Sequence, residues 1–190
     1  LLGVNAFDQP DVQDSKNRTK QAIQHYLEKG KLEEGEPLYE DKGVRIYSTK
    51  LFEKAVIQYP YKVLLEQFIK DSKKGDYIAI NAFLPRNEET SRQLKELRVY
   101  LQDLALLPTM LGFGPRFLHS TGQLHKGGTA NGIFLEITID VDFPLPIPNQ
   151  SYTFNILERA QALGDYEALR ARERQILRLH FPSLFEFEKW

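Results

Sequence analysis

Two stretches of this sequence gather side chains that could do chemistry. The first is Asp8-Gln9-Pro10-Asp11-Val12-Gln13-Asp14-Ser15-Lys16. Pro10 suits the first turn of a helix, where its missing N–H costs nothing. Asp8 or Gln9 can cap that helix, and Asp11 and Asp14 complement its first turns electrostatically. In such a helix Gln9 and Lys16 lie on one face, about 10 Å apart along the axis. An amide at a helix start and an ammonium two turns on could hold an elongated anion, such as a sugar phosphate, at both ends. The same pair also fits a plain solvated face.

The second stretch runs from Gly112 to Gly132 and contains six glycines. It lies between two strand candidates and is too long for a simple connection, a length common in functional loops. Arg116, His119, Ser120, Thr121, Gln123, His125, Lys126, Thr129 and Asn131 supply donors suited to phosphate or sugar hydroxyls. The nucleotide phosphate-loop motif is not present, because no Gly-Lys-Ser/Thr follows at the required spacing. His119 and His125 are not spaced as paired helical metal ligands, and no cysteine or acidic cluster joins them, so no metal site is expected. Two readings stay open for this stretch: an anion or sugar-phosphate site, and a structural glycine-rich loop with buried, hydrogen-bonded histidines.

These groups need elements to position them. A first helix is expected from about Pro10 to Leu27 or Lys29, ended by Gly30, with Val12, Thr19, Ile23, Tyr26 and Leu27 on its inner stripe. Gly30 to Pro37 is a charged connection and the natural boundary between residues 1–30 and 31–190. Leu38–Glu40 and Val44–Thr49 read as a hairpin turned at Asp41-Lys42-Gly43. Tyr61–Lys70 is helical in its spacing. Tyr77–Leu84 is apolar on both faces and suits a buried parallel strand. A long helix follows from Asn87 or Glu88 to about Leu106, with Leu94, Leu97, Leu101 and Leu104 inward. Thr109–Phe113, Ile133–Ile139 and Ile176–His180 are further strands. Tyr152–Leu163 and Asp165–Glu173 read as two helical segments hinged at Gly164. Strands alternating with helices imply an α/β fold with a mainly parallel sheet and flanking helices.

Composition narrows the class. The chain has 190 residues, enough for a substantial core, and a net charge of −1 from 25 basic and 26 acidic residues. That balance argues against nucleic acid or an anionic membrane surface as the main partner. No apolar run is long enough to span a membrane. The absence of cysteine excludes disulfides and thiol chemistry in these residues and is compatible with a reducing cytoplasm. The sequence opens on Leu1-Leu2-Gly3 without a methionine, as expected of a piece of a longer chain. Apolar residues Leu184, Phe185, Phe187 and Trp190 suggest an interface, which leaves self-association as a homo-oligomer open. Asp140 and Asp142 flank Val141 before a proline-rich turn and read as solvated. His180 reads as a strand-end histidine.

Gly3-Val4-Asn5-Ala6-Phe7-Asp8-Gln9-Pro10, followed by Lys16, resembles the C-terminal signature of the phosphoglucose isomerase family, with Ala6 where that family usually has proline. The resemblance implies that this run opens the last helix of an isomerase domain. It also implies that Gln9 contacts the substrate phosphate and that Lys16, beside the sugar ring oxygen, assists ring opening. The family's glutamate base and ring-opening histidine lie upstream of this signature. Phe117 to Gly128, and Tyr152-Thr153-Phe154 with Arg159 to Asp165, are similar to the far C-terminal region of transaldolase/phosphoglucose isomerase fusions. Thr129-Ala130-Asn131 departs from the family's Pro-Asn. The stretch from Gly127 to Phe154 also resembles the end of a sugar-isomerase (SIS-type) domain. Together these resemblances imply an SIS-like layer architecture for residues 31–190, preceded by the last isomerase helix. The implied reaction is interconversion of glucose 6-phosphate and fructose 6-phosphate without a cofactor, with this chain inactive alone. Under that reading Lys16 is catalytic, and Gln9, Arg116, His119, Ser120, Thr121, His125 and Lys126 are candidate substrate-binding residues. The alternatives are a non-catalytic sugar-phosphate-binding module and an oligomerisation module.

Overall fold

The computed structural model describes residues 8–52 and 61–189; the first residues of the signature, Gly3 to Phe7, and Trp190 lie outside them. In chain order come α1 (Pro10–Lys29), β1 (Tyr39–Asp41), β2 (Val44–Ser48), α2 (Tyr61–Ile69), β3 (Tyr77–Phe83), α3 (Glu88–Ala105) and β4 (Thr109–Phe113). A 3₁₀ turn (Arg116–His119), α4 (Gly122–Gly127), β5 (Gly132–Ile139), α5 (Phe154–Ala171), β6 (Gln175–Phe181) and α6 (Leu184–Glu188) follow.

Among the described residues, six strands form one sheet in the order β1-β2-β6-β5-β3-β4. The pairs β3/β4, β3/β5 and β5/β6 are parallel, as expected from strands apolar on both faces. The β1/β2 hairpin adds to one edge antiparallel. Its turn residues Lys42 and Gly43 have φ of 51° and 82°, the left-handed pair that a two-residue hairpin requires. The result is an α/β layered fold with a mainly parallel sheet.

Period-two alternation divides the strands between two layers. One face carries Ile46, Ile78, Ile80, Ile133, Leu135, Ile137, Leu177 and Leu179. It packs on Leu64, Leu65 and Phe68 of α2, Leu94 and Leu101 of α3, and Phe187 of α6. Each fully buried side chain of this kind contributes roughly 1.5–3 kcal/mol. Phe187 therefore belongs to the core, although its apolar neighbourhood suggested an exposed interface; Phe185 does stay exposed. The start of α3 is secured by a capping box between Asn87 and Thr90.

The opposite face is covered by α5, with α1 packed along it. Here the structure corrects one expectation. Gly164 is not a hinge, and α5 runs unbroken from Phe154 to Ala171. Gly164 marks a close helix crossing. A Cβ there would stand 2.9 Å from Thr19 Oγ1 and 3.1 Å from the Ser15 carbonyl oxygen of α1. The hydroxyls of Ser15 and Thr19 are turned back onto the carbonyls of Asp11 and Ser15, which lets α5 approach α1's backbone. Gly164→Ala should therefore destabilise the protein by about 1–3 kcal/mol through overpacking, despite alanine's higher helix propensity. A thermal melt checks this, and a stabilised variant would mean that the helices have room to part.

Candidate functional site

Helix α1 is fixed on one side and free on the other. Asp11 accepts from the Gln123 side-chain amide, and the Asp11 backbone N–H donates to Gln123 Oε1 at 3.1 Å, tying α1 to α4. Arg172, at the end of α5, pairs with Asp11 and Asp14. Burial alone would raise the Asp14 carboxyl, but Arg172 and Arg18 outweigh it and hold the group below its usual range. Gln9 occupies the cap position, yet its side chain makes no capping bond, so its amide is uncommitted. Gln9 and Lys16 are both exposed, and among the described residues neither side chain is engaged in a hydrogen bond or ion pair. Gln9 thus stands at the cap of, and Lys16 lies within, a helix that other residues hold in place.

The glycine-rich stretch folds differently from a phosphate-cradling loop. It forms the 3₁₀ turn and the short helix α4, and this divides the candidate residues. Arg116, His119 and Ser120 are exposed and Thr121 is half-buried, while His125 and Lys126 lie inside. His125 packs among the rings of Tyr77, Phe117 and Phe134, and neither of its nitrogens has a hydrogen-bond partner among the described residues. Burial, helped by the neighbouring Lys126 charge, pushes its pKa down to about 4. The expectation of hydrogen-bonded histidines is therefore corrected: apolar packing holds His125 neutral. Lys126 reaches into the interior and pairs with Asp165 of α5, both side chains being essentially inaccessible. Arg174 donates to the carbonyls of Lys126 and Gly128, each at 2.7 Å, which places a cation at the C-terminal end of α4.

A buried polar layer under α5 went unforeseen. Asn81, Glu136, Arg178 and Tyr47 are register neighbours across β3, β5, β6 and β2, and all face α5. Arg178 sits 4.0 Å from the centroid of the Tyr47 ring and 2.6 Å from Glu34 Oε2. Glu34 comes from the charged connection after α1. Burial would raise its carboxyl, but Arg178, Arg159 and Arg45 together hold it low. Burial dominates for Glu136, whose carboxyl is pushed well above the usual range despite Arg178. The signal available in the sequence was a single charge inside an otherwise apolar strand, at Glu136 and again at Arg178.

At the carboxyl end of the sheet the network continues through Arg159, which pairs with both Glu34 and Asp140. His180 Nε2 lies 3.2 Å from Asp140 Oδ2, and its Nδ1 lies 3.0 Å from Thr138 Oγ1. Burial, with Arg159 and Arg45 nearby, lowers the His180 pKa in spite of Asp140. A neutral ring donating from Nε2 to the carboxylate and accepting at Nδ1 from the threonine satisfies every group. Asp140 is thus an ion-pair partner rather than a solvated turn residue, and no carboxylate or histidine cluster among the described residues could hold a metal ion. A crevice of about 140 Å³ opens beside Thr138, lined by Leu84, Pro85, Glu158 and Arg159. It lies between β3 and β5, where the chain reverses its order across the sheet, the usual ligand position in open α/β folds.

A larger groove of about 380 Å³ lies beyond the ends of β3 and β4. Arg86, Ser91, Lys95, Arg116 and Ser120 line it, over a floor of Leu111, Gly112, Phe113 and Phe117. Gly112 is required there because a Cβ would stand 2.9 Å from Phe117 Cβ. Arg116 and Ser120 were expected site residues. Arg86, Ser91 and Lys95 were not, since they join the other two only through the packing of α3 beside β4.

No helix among the described residues is long and apolar enough to cross a membrane. No family model matches the chain, and neither does any curated protein. Among solved structures, a hypothetical protein from Thermus thermophilus is similar, with a TM-score of 0.51 and 14% sequence identity. The match covers 68% of this chain and 36% of that one, so this chain spans about a third of that protein's length, and the likeness shows the α/β fold alone.

Proposed function

We propose that this chain is the C-terminal part of an aldose–ketose isomerase, the remainder of which also carries transaldolase. It acts with that longer chain on glucose 6-phosphate and fructose 6-phosphate in a cytoplasmic setting. The observation that supports this is the state of α1: Gln9 and Lys16 are exposed and uncommitted on a helix whose other side is locked by Asp11, Asp14 and Gly164. In the reaction a proton moves between C2 and C1 of the open-chain sugar through an enediol, which needs a general base. Lys16 would stabilise negative charge at the ring oxygen as the ring opens, and the Gln9 amide would donate to the phosphate. The base is supplied by the rest of the longer chain, so this chain alone should turn over neither sugar phosphate.

The test is a titration with 6-phosphogluconate, which cannot isomerise, followed by NMR. Shifts should centre on Gln9 and Lys16, and Lys16→Ala should weaken binding by roughly tenfold or more, the worth of one charge-assisted hydrogen bond. Binding that ignores Lys16→Ala, or turnover by the chain alone, would sink this reading. A second reading, sugar-phosphate binding without catalysis, is favoured by one observation: Arg116 and Ser120 line the groove beyond β4.

A further inference from the structure

From the groove beyond β3 and β4 we infer a binding site for a small metabolite carrying two phosphate groups or a diphosphate. The inference uses no residue of α1; it rests on the second reading above, shares Arg116 and Ser120 with it, and narrows the ligand of that same groove. Three cationic side chains, Arg86, Lys95 and Arg116, line this groove together with the hydroxyls of Ser91 and Ser120, and among the described residues no carboxylate does. None of the three makes a salt bridge with a described residue. The acidic residues of α3 explain why: Glu89 and Glu96 are both drawn to Arg92, at 2.5 Å and 2.7 Å. Glu88 and Glu96 border a neighbouring depression that shares Arg86, Ser91 and Lys95, but neither pairs with Lys95 or Arg86.

The geometry is organised from two sides. Ser91 and Lys95 are one helical turn apart on α3, with Arg86 just ahead of the helix. Arg116 opens the 3₁₀ turn and Ser120 caps its end. Arg86 is steadied over the Phe113 ring, 5.4 Å from its centroid, so its guanidinium is partly pre-organised. The Ser91 hydroxyl makes no hydrogen bond with a described residue and is free to donate to an anion, whereas the Ser120 hydroxyl donates to the Phe117 carbonyl at 3.1 Å and must turn from it to do so. The apolar floor lowers the local dielectric and strengthens attraction for an anion. A single phosphate dianion would leave the trio with excess positive charge. A second phosphate matches it, and about 380 Å³ accommodates such a ligand.

The test is titration of the whole chain with inorganic pyrophosphate, and separately with inorganic phosphate, followed by NMR and calorimetry at two salt concentrations. Pyrophosphate should bind at least tenfold tighter than phosphate, shift Arg86, Ser91, Lys95, Arg116 and Ser120 together, and weaken as salt rises. Lys95→Ala and Arg116→Ala, both on exposed residues, should each cost roughly tenfold in affinity while leaving the melting temperature unchanged. Equal affinity for the two anions, shifts scattered over surface lysines, or indifference to both substitutions would overturn the site. Shifts confined to Gln9 and Lys16 would also overturn it while leaving the isomerase reading standing.

Discussion

Lys126→Met is expected to destabilise the protein by about 3–5 kcal/mol, because it strands the Asp165 carboxyl in the interior. Both members of the pair are essentially inaccessible, at 1% and 0% side-chain exposure. Burial already raises the Asp165 pKa against the pull of Lys126. Without the ammonium, the carboxylate must either protonate or draw in water, and either response costs stability. The same ammonium is 3.4 Å from the Gly122 carbonyl, so its loss also loosens α4. In a chain of this size the melting temperature should fall by about 10 °C. The double variant Lys126→Met with Asp165→Leu removes both charges and should recover most of the loss, since a buried pair is often no better than apolar residues of similar volume. A single variant within about 1 kcal/mol of the parent protein would mean that water reaches this pair.

Replacing His125 by phenylalanine should flatten the acid limb of the stability curve. The folded protein holds this histidine neutral, with a pKa pushed down to about 4 by burial, whereas an unfolded chain titrates it near 6.5. Between those values the unfolded state binds the extra proton. Stability is therefore complete above about pH 6.5 and falls by roughly 3 kcal/mol on the way to pH 4. Glu136 works in the opposite sense: its raised pKa favours the fold below the ordinary carboxylate range and loses that contribution as pH rises. The measurement is thus the difference between denaturant midpoints of parent and variant from about pH 4 to 8, in which Glu136 cancels. Phenylalanine joins the ring cluster of Tyr77, Phe117 and Phe134 without leaving orphaned nitrogens. Parallel curves would show that His125 finds a partner or water when protonated.

Each of these expectations turns on a residue whose setting only the folded chain reveals. His125 and Lys126 share a sequence stretch with Arg116 and Ser120, and by residue type all four are plausible phosphate ligands. Folding separates them. The 3₁₀ turn leaves Arg116 and Ser120 facing solvent, and α4 turns the other two inward against α5. Gly164 shows the same limit: a glycine in a helical pattern permits a hinge or a close crossing, and only the position of α1 decides between them.

The sequence by itself determined the buried parallel strand at the centre of the sheet, because the run Tyr77 to Leu84 carries apolar residues on both faces and is satisfied between two helical layers. It also determined α1, through Pro10 at its start and Gly30 at its end, with Gln9 and Lys16 on one face. These are local properties, set by periodicity and by the backbone preferences of proline and glycine. Tertiary structure alone decided the polar layer in which Glu34 meets Arg178 beside Glu136, the burial of Asp165 against Lys126, and the joining of Arg86 and Lys95 with Arg116. Those groups are far apart in the chain, and their energies depend on desolvation and on the distance between charges. Neither quantity exists until the sheet has closed against its helices.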